Sequence, residues 1–226
     1  MEKEYNKNLL KRLTTAVALT VPIILIIFVQ NFWVFFLTLT LICSFGYYEW
    51  IKNKFRHPIL WGFNLIFGYF WLWIIVIVGA FSLNILNDMN NLISPSIYFL
   101  FLIIIFNTAI FDTFAYIAGS NIGKTPITPN ISPNKTWEGL FGGLMANIFY
   151  AIIICNFFDL SYWLAPIFIF GGLLAFIGDL IISFHKREKS LKDTGSILPG
   201  HGGILDRLDS HLVATPITIL ITLFVI

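Results

Sequence analysis

Long apolar runs, each close to the length that crosses a lipid bilayer, constrain this chain more than any other feature. Seven such runs lie at residues 14–30, 32–50, 59–86, 93–118, 139–157, 162–182 and 211–226. A transmembrane α-helix needs about 20 consecutive apolar residues. Only 12% of the 226 residues are charged, whereas a soluble domain carries about 25%. The alternating pattern of a membrane β-barrel is absent, so the sequence predicts an all-α, polytopic integral membrane protein with about seven (six to nine) transmembrane helices.

The basic residues are distributed unevenly between the loops. All 14 lysines and arginines lie in four segments, 1–13, 51–58, 119–138 and 183–210. With the N-terminus inside, these four segments are cytoplasmic, as the positive-inside rule requires. The outer loops then carry only Asp88 and Asp159. We therefore expect the N-terminus and the polar loops to be cytoplasmic, with the C-terminus outside if there are seven spans.

The stretch from Gly178 to Ser210 is strongly charged. A helix continuing from the sixth run would place four polar side chains on one face, and they are Asp179, Ser183, Lys186 and Arg187. Asp206 and Asp209 are three residues apart and share a second helix face. Carboxylates that meet at the mouths of neighbouring helices repel one another unless a cation lies between them. Mg²⁺ held by one or two carboxylates and by substrate phosphates is the ion expected there.

Four glycines follow Gly178 in the same stretch, at Gly195, Gly200, Gly202 and Gly203. They permit the backbone conformations and the close approach that phosphate cradles use. His201, between two of them, has the chemistry to donate to a phosphate or to move a proton. The alternative interpretation is a cytoplasmic loop whose basic residues bind anionic lipid head groups. That interpretation leaves the acidic side chains unexplained.

A second polar region runs from Asp112 to Gly143. Asp112 lies at the inner end of the fourth run, where an ionisable side chain marks a functional or a paired site. Ser132-Pro133-Asn134 predicts a turn, and Lys135 offers a point charge for phosphate.

The helix that follows is expected to be capped by Thr136 or Asn134. Gly139 and Gly143, four residues apart, predict close packing of this helix against a neighbour.

Together these residues resemble the signature of the phosphatidate cytidylyltransferase (CDP-diacylglycerol synthase) family. That signature has Ser, two residues, Lys-Arg, four residues and Lys-Asp, followed by His-Gly-Gly and Asp-Arg-x-Asp. The matching positions here are Ser183, Lys186-Arg187, Lys192-Asp193, Gly195, Pro199, His201-Gly202-Gly203, Asp206-Arg207 and Asp209. Asp112, Tyr116, Gly119 and the string from Ser132 to Gly139 resemble the family as well. The resemblance covers residues 110–210, with His185 as a departure where the family has an apolar residue.

The resemblance implies transfer of CMP from CTP to phosphatidate, giving CDP-diacylglycerol and pyrophosphate for phospholipid biosynthesis. It implies that Asp179 and Asp206 hold Mg²⁺, and a second, monovalent cation is also expected. The catalytic residues that it implies are Asp179, Lys192, Asp193, His201, Asp206 and Asp209. The substrate-binding residues that it implies are Asp112, Ser132, Asn134, Lys135, Ser183, Lys186, Arg187, Gly202, Gly203 and Arg207.

We expect one membrane domain, with N-terminal transmembrane helices over residues 1–105 and a catalytic region over residues 106–226. The expected partners are CTP, phosphatidate and membrane lipids, without nucleic acid, and a homodimer is one possible assembly. The nearest alternative is another CTP-dependent membrane lipid kinase or transferase, of the polyprenol or phytol kinase type. An ion-coupled transporter is a further alternative, although its charges would be expected near the bilayer centre rather than at the inner face.

Overall fold

The computed structural model describes residues 24, 28–29, 31–82, 97–198 and 202–225. The chain divides into two compact units built from alternating segments. Unit 1 comprises Met1–Phe70 and His185–Leu208, and unit 2 comprises Trp71–Phe184 and Asp209–Ile226. The predicted division between residues 105 and 106 stays a prediction.

Five helical stretches within the described residues are long and apolar enough to cross a membrane. They are formed by α1 (Phe32–Lys52), a π-helical segment (Pro58–Phe63) that leads into α2 (Asn64–Ser82), α3 (Ile97–Ile122), α4 (Trp137–Phe158) and α5 (Leu164–Glu188). The prediction of an all-α, polytopic membrane protein is confirmed. The predicted span at 14–30 lies almost entirely outside the described residues.

The last apolar run forms α7 (His211–Leu223), which follows a single helical turn, α6 (Leu205–Leu208). The predicted helix start near Asp206 therefore corresponds to α6, and a turn at residues 209–210 separates it from α7. A helix of 13 residues is about 20 Å long, which is shorter than the roughly 30 Å hydrocarbon core. The count of seven spans stays a prediction.

In unit 1, the end of α1 packs against the π-helical segment. Trp50 is fully buried, and its indole ring lies against Gly62, where a Cβ atom would be only 2.7 Å from the ring. His185, at the end of α5, lies 4.7 Å from Trp50 between ring centroids, with Phe55 beside both. The departure at His185 is therefore accommodated as a buried packing residue.

In unit 2, α3 packs along α4 and also contacts α7. The core residues shared by these helices and α5 are Phe111, Leu140, Ala175 and Ala214. The predicted close approach at the two α4 glycines is confirmed. A Cβ at Gly139 would lie 2.8 Å from the Ala115 carbonyl oxygen, and one at Gly143 would lie 2.7 Å from the Phe111 ring.

A short antiparallel hairpin joins α3 to α4 in unit 2. Its strands are β1 (Pro126–Thr128) and β2 (Ser132–Thr136), with Thr128 paired to Ser132. The predicted turn at Ser132-Pro133-Asn134 is wrong, because the turn lies at residues 129–131 and those three residues belong to a strand. The predicted helix cap is confirmed for Thr136, whose hydroxyl accepts a hydrogen bond from the Gly139 N–H at 3.1 Å.

Candidate active site

Asp206, on α6 in unit 1, is surrounded by hydrogen-bond donors. Its Oδ1 accepts from Lys186 Nζ at 2.8 Å, and the two side chains are only 5% and 10% exposed. Its Oδ2 accepts from the backbone N–H groups of Thr194 and Gly203 at 2.7 and 2.9 Å, and Thr194 Oγ1 lies within hydrogen-bond distance of it at 3.0 Å. A buried charge is tolerated only when it is paired and hydrogen-bonded. These contacts satisfy both conditions.

The charge of Asp206 follows from a balance between opposing effects. Burial raises the pKa of its carboxyl group, whereas the hydrogen bond and charge of Lys186 and the N–H groups of Gly203 and Thr194 lower it. The net shift is downward. Asp206 is therefore an anion at neutral pH, available to a cation.

Glu49, near the end of α1, is a second buried carboxylate in unit 1, with a relative exposure of 1%. Its oxygens accept from Ile204 N at 3.0 Å, Leu205 N at 2.9 Å and Thr194 Oγ1 at 2.9 Å. The sequence reasoning missed this residue. The available signal was a single carboxylate within an otherwise apolar run, a pattern that marks functional or paired sites in membrane proteins.

Two of the glycines predicted to approach phosphate closely lie beside this carboxylate. A Cβ at Gly195 would be 2.6 Å from Glu49 Oε1, and one at Gly203 would be equally close to the same oxygen. Gly202 has a positive φ of 85°, which glycine adopts at no steric cost. A Cβ there would be 2.8 Å from Asp206 Oδ2. In this structure the three glycines make room for protein carboxylates.

Asp179, on α5, is the centre of a separate cluster in unit 2. Its Oδ2 pairs with Lys135 Nζ at 2.7 Å, and its Oδ1 accepts from Ser183 Oγ at 2.9 Å. Lys135, on β2, also lies over the Phe176 ring at 4.7 Å. The hydrogen bond between positions 179 and 183 agrees with the predicted sharing of one helix face.

Asp112, on α3, lies close to this pair. Its carboxylate is hydrogen-bonded to the Ser210 side chain and interacts electrostatically with Asp179 and Lys135. The backbone of residues 209–210 passes α5 at Gly178, where a Cβ would lie 2.5 Å from the Asp209 carbonyl oxygen. Unit 2 thus gathers predicted site residues from α3, β2, α5 and the turn before α7.

The remaining predicted site residues are distributed between the units. Arg187, in unit 1, donates from Nη1 to the Leu191 carbonyl oxygen at 2.7 Å. In unit 2, Asp209 Oδ1 accepts from the Ser210 N–H at 2.9 Å. Side chains exposed to solvent include those of Asn134, Lys192, Asp193 and Arg207, and Ser132 is half-buried. His201 lies outside the described residues.

The two predicted metal ligands belong to different units, so the prediction that they share one cation stays a prediction. Each carboxylate oxygen can accept about two hydrogen bonds or ligand bonds. Among the described residues, Asp206 Oδ1 has one donor, and each oxygen of Asp179 has one. These oxygens therefore fit a hard divalent cation. The described residues contain no group of three or more His, Cys, Asp or Glu side chains placed to hold a metal ion.

Five long apolar helices mark this chain as an integral membrane protein, and each of its two units contains a lysine paired with a carboxylate. Residues 95–225 match the profile described as the cytidylyltransferase family. That match covers more than half of the chain, and the chain belongs to this family.

The similar curated proteins include bacterial and plant phosphatidate cytidylyltransferases. The protein of that name from Staphylococcus epidermidis is 46% identical over 109 residues, which are 47% of this chain and 42% of the relative. That from Staphylococcus aureus is 43% identical over the same length and with the same coverage. Phosphatidate cytidylyltransferase 4, chloroplastic, from Arabidopsis thaliana is 45% identical over 104 residues, which are 45% of this chain and 26% of the relative. The matched region is therefore less than half of each relative.

Proposed function

We propose that this chain transfers CMP from CTP to phosphatidate, giving CDP-diacylglycerol and pyrophosphate. The proposal is carried by one observation: in a chain of the cytidylyltransferase family, each of the two predicted metal-binding aspartates is paired with a lysine, Lys135 or Lys186. The names of the similar bacterial and plant proteins agree with it.

The reaction joins two anions, a lipid phosphate and a nucleoside triphosphate. An oxygen of the phosphatidate phosphate attacks the α-phosphorus of CTP, the bond from that phosphorus to the bridging α–β oxygen breaks, and pyrophosphate leaves. No covalent bond to the protein is needed. Catalysis of such a displacement depends on positioning and on cations aimed at the developing charge.

The cationic side chains supply part of the positive charge that stabilises the developing negative charge. Lys135 and Lys186 are fixed by their carboxylate partners, so little side-chain entropy remains to be lost when a phosphate arrives. Arg187, Lys192 and Arg207 would bind the other phosphate oxygens, and arginine has the planar fork that suits them. The residues proposed to orient or support these groups are Asp112, Asp193, His201 and Asp209.

Asp179 and Asp206 would hold Mg²⁺ through the oxygens that have a single donor among the described residues. Bound there, the ion would neutralise phosphate charge and polarise the phosphoryl group. A second, monovalent cation remains part of the proposal. So do a bacterial inner membrane as the location, a cytoplasmic site and a homodimeric assembly.

Two radiolabels distinguish the proposed reaction from its nearest rival. The purified chain in mixed micelles is given phosphatidate or a polyprenol with CTP labelled at the α- or the γ-phosphate, with and without Mg²⁺. We expect the α-label, and not the γ-label, to enter lipid in the presence of phosphatidate and Mg²⁺. Entry of the γ-label would identify a CTP-dependent lipid kinase, and entry of neither label would overturn the proposal.

Replacement of a single carboxylate tests the assignment within that assay. Asp179→Asn removes a charge from a side chain that is 29% exposed, so the fold is expected to tolerate it better than a change at the buried Asp206. We expect the rate of CMP transfer to fall about 100-fold or more, as when a group that stabilises a transition state is removed. Asp159→Asn, at the exposed end of α4 in the same unit, is the matched control and should leave the rate unchanged. A normal rate in Asp179→Asn contradicts the role given to this carboxylate.

A further inference from the structure

Glu49 lies outside residues 95–225, the region that matches the family profile. Its carboxylate nevertheless accepts hydrogen bonds from residues 194, 204 and 205 of unit 1. Two of its three donors are the consecutive backbone N–H groups of Ile204 and Leu205. These groups open α6, the helical turn that carries Asp206. The N–H groups at the start of a helix have no partner within the helix, and an acceptor there fixes the direction of the first turn.

Thr194 connects Glu49 directly to Asp206. Its Oγ1 lies 2.9 Å from Glu49 Oε2 and 3.0 Å from Asp206 Oδ2. A hydroxyl group has one hydrogen and can donate to only one of the two carboxylates at a time. When it donates to Glu49, the donors to Asp206 Oδ2 among the described residues are the backbone groups Thr194 N and Gly203 N.

The two carboxylates also accept hydrogen bonds from neighbouring N–H groups in one short stretch of backbone. Asp206 accepts from the N–H group of Gly203, and Glu49 accepts from those of Ile204 and Leu205. Because three successive N–H groups are held in this way, a shift of the Glu49 side chain displaces the backbone on which Asp206 stands. Asn53, one turn after Glu49 on the chain, adds a hydrogen bond from Nδ2 to the Thr194 carbonyl oxygen at 2.6 Å.

We propose that Glu49 is a positioning residue that sets the location and the hydrogen-bonding state of Asp206 during CMP transfer. The inference depends on the function proposed above. Loss of the Glu49 charge would release Thr194 and the start of α6, so Asp206 would move away from the position in which it acts on the reacting phosphates. Replacement of a group that orients a metal ligand typically costs about 10- to 100-fold in metal affinity or activity, and we expect a loss of that size for a group that orients Asp206.

The first test is Glu49→Gln, which keeps the size of the side chain and removes its charge. We expect kcat, normalised to the monodisperse folded fraction, to fall about 10- to 100-fold with an unchanged KM for phosphatidate. A purely structural role would lower the yield or the thermal midpoint and leave the normalised kcat intact. Glu188→Gln is the matched control, because Glu188 pairs with the exposed Arg56 in the same unit and has no part in the site; its kcat should equal that of the wild type.

Thr194 supplies a second test that does not depend on the folding of Glu49→Gln. Thr194→Ser retains the hydroxyl group and should keep most of the activity, whereas Thr194→Val should lose activity about as strongly as Glu49→Gln. If both residues act through the hydrogen bond between them, the double variant Glu49→Gln/Thr194→Val should lose little more activity than either single variant.

The outcomes separate this inference from the proposed function. A wild-type chain that makes no CDP-diacylglycerol overturns the proposed function. An active wild type together with a full normalised kcat in Glu49→Gln overturns the positioning role alone. If Glu49→Gln does not fold, equal activity of Thr194→Val and Thr194→Ser overturns that role.

Discussion

Gly195 lies where any side chain would meet the Glu49 carboxylate, and this contact makes a prediction at the scale of single residues. A Cβ there would be 2.6 Å from Glu49 Oε1 and 3.2 Å from the carboxyl carbon. Overpacking of a filled site typically costs about 1–3 kcal/mol. We expect Gly195→Ala to lower the free energy of unfolding by an amount in that range, measured as a lower thermal midpoint in detergent.

The shorter side chain in Glu49→Asp provides the test of the cause. It should relieve the clash, so the double variant Gly195→Ala/Glu49→Asp should be less destabilised than the sum of the two single variants. Directly contacting residues show coupling of about 0.5–3 kcal/mol. If the two changes in the free energy of unfolding were strictly additive, Gly195 would not face the carboxylate.

The same residues show which parts of the site could be predicted from the sequence. The hydrogen bond from Ser183 to Asp179 spans four residues, and helical periodicity predicts it. The bond from Thr194 to Glu49 spans 145 residues, and no local pattern relates the two positions. The glycine pattern predicted a close approach to phosphate, which stays a prediction. It could not say that part of the space is filled by a carboxylate of the protein's own α1.

At the scale of secondary-structure elements, the contact between α3 and α4 depends on glycines. Gly143 faces Phe111, and a Cβ would be 2.7 Å from the ring and 2.9 Å from the backbone carbonyl oxygen. The backbone atom cannot rotate away, so the helices would have to separate. We expect Gly143→Ala to lower the thermal midpoint despite the higher helix propensity of alanine, which alone is worth about 1 kcal/mol.

Gly68, on α2, is the matched control for this prediction. A Cβ at that position meets nothing within 4 Å, so Gly68→Ala should leave the thermal midpoint unchanged or raise it. Equal thermal midpoints for the two variants would contradict tight packing at Gly143.

The elements themselves were predicted with unequal success. Five apolar runs form helices of membrane-spanning length, and the last run forms the shorter α7, because hydropathy is a local property of the chain. The cap at Thr136 followed from residue type. The segment from Ser132 was predicted as a turn because Ser, Pro and Asn favour turns. It is a strand instead, since Ser132–Thr136 pairs with Pro126–Thr128 across the hairpin, and such pairing is set by the partner strand.

At the scale of the whole molecule, the distribution of charge is the feature that the sequence predicts most directly. Each of the 14 lysines and arginines lies in one of four segments, all of which fall on one side if the chain alternates between the two faces of the membrane. Translocation of basic loops is disfavoured, so these segments are predicted to lie on the cytoplasmic side. Charge patterning cannot reveal how chain segments combine into units, because unit 1 draws on both the first 70 residues and residues 185–208.

The orientation makes a prediction that two single-cysteine variants can test. Ser161 and Lys189 are exposed and lie beyond opposite ends of α5, while the native Cys43 and Cys155 are buried. In right-side-out membrane vesicles we expect a membrane-impermeant maleimide to modify Ser161→Cys at once. It should modify Lys189→Cys only after the membrane is permeabilised, because the segment after α5 is basic and belongs on the inner face. The reverse pattern would mean an external site that cytosolic CTP cannot reach, and equal labelling of both variants in intact vesicles would mean that α5 does not cross the bilayer.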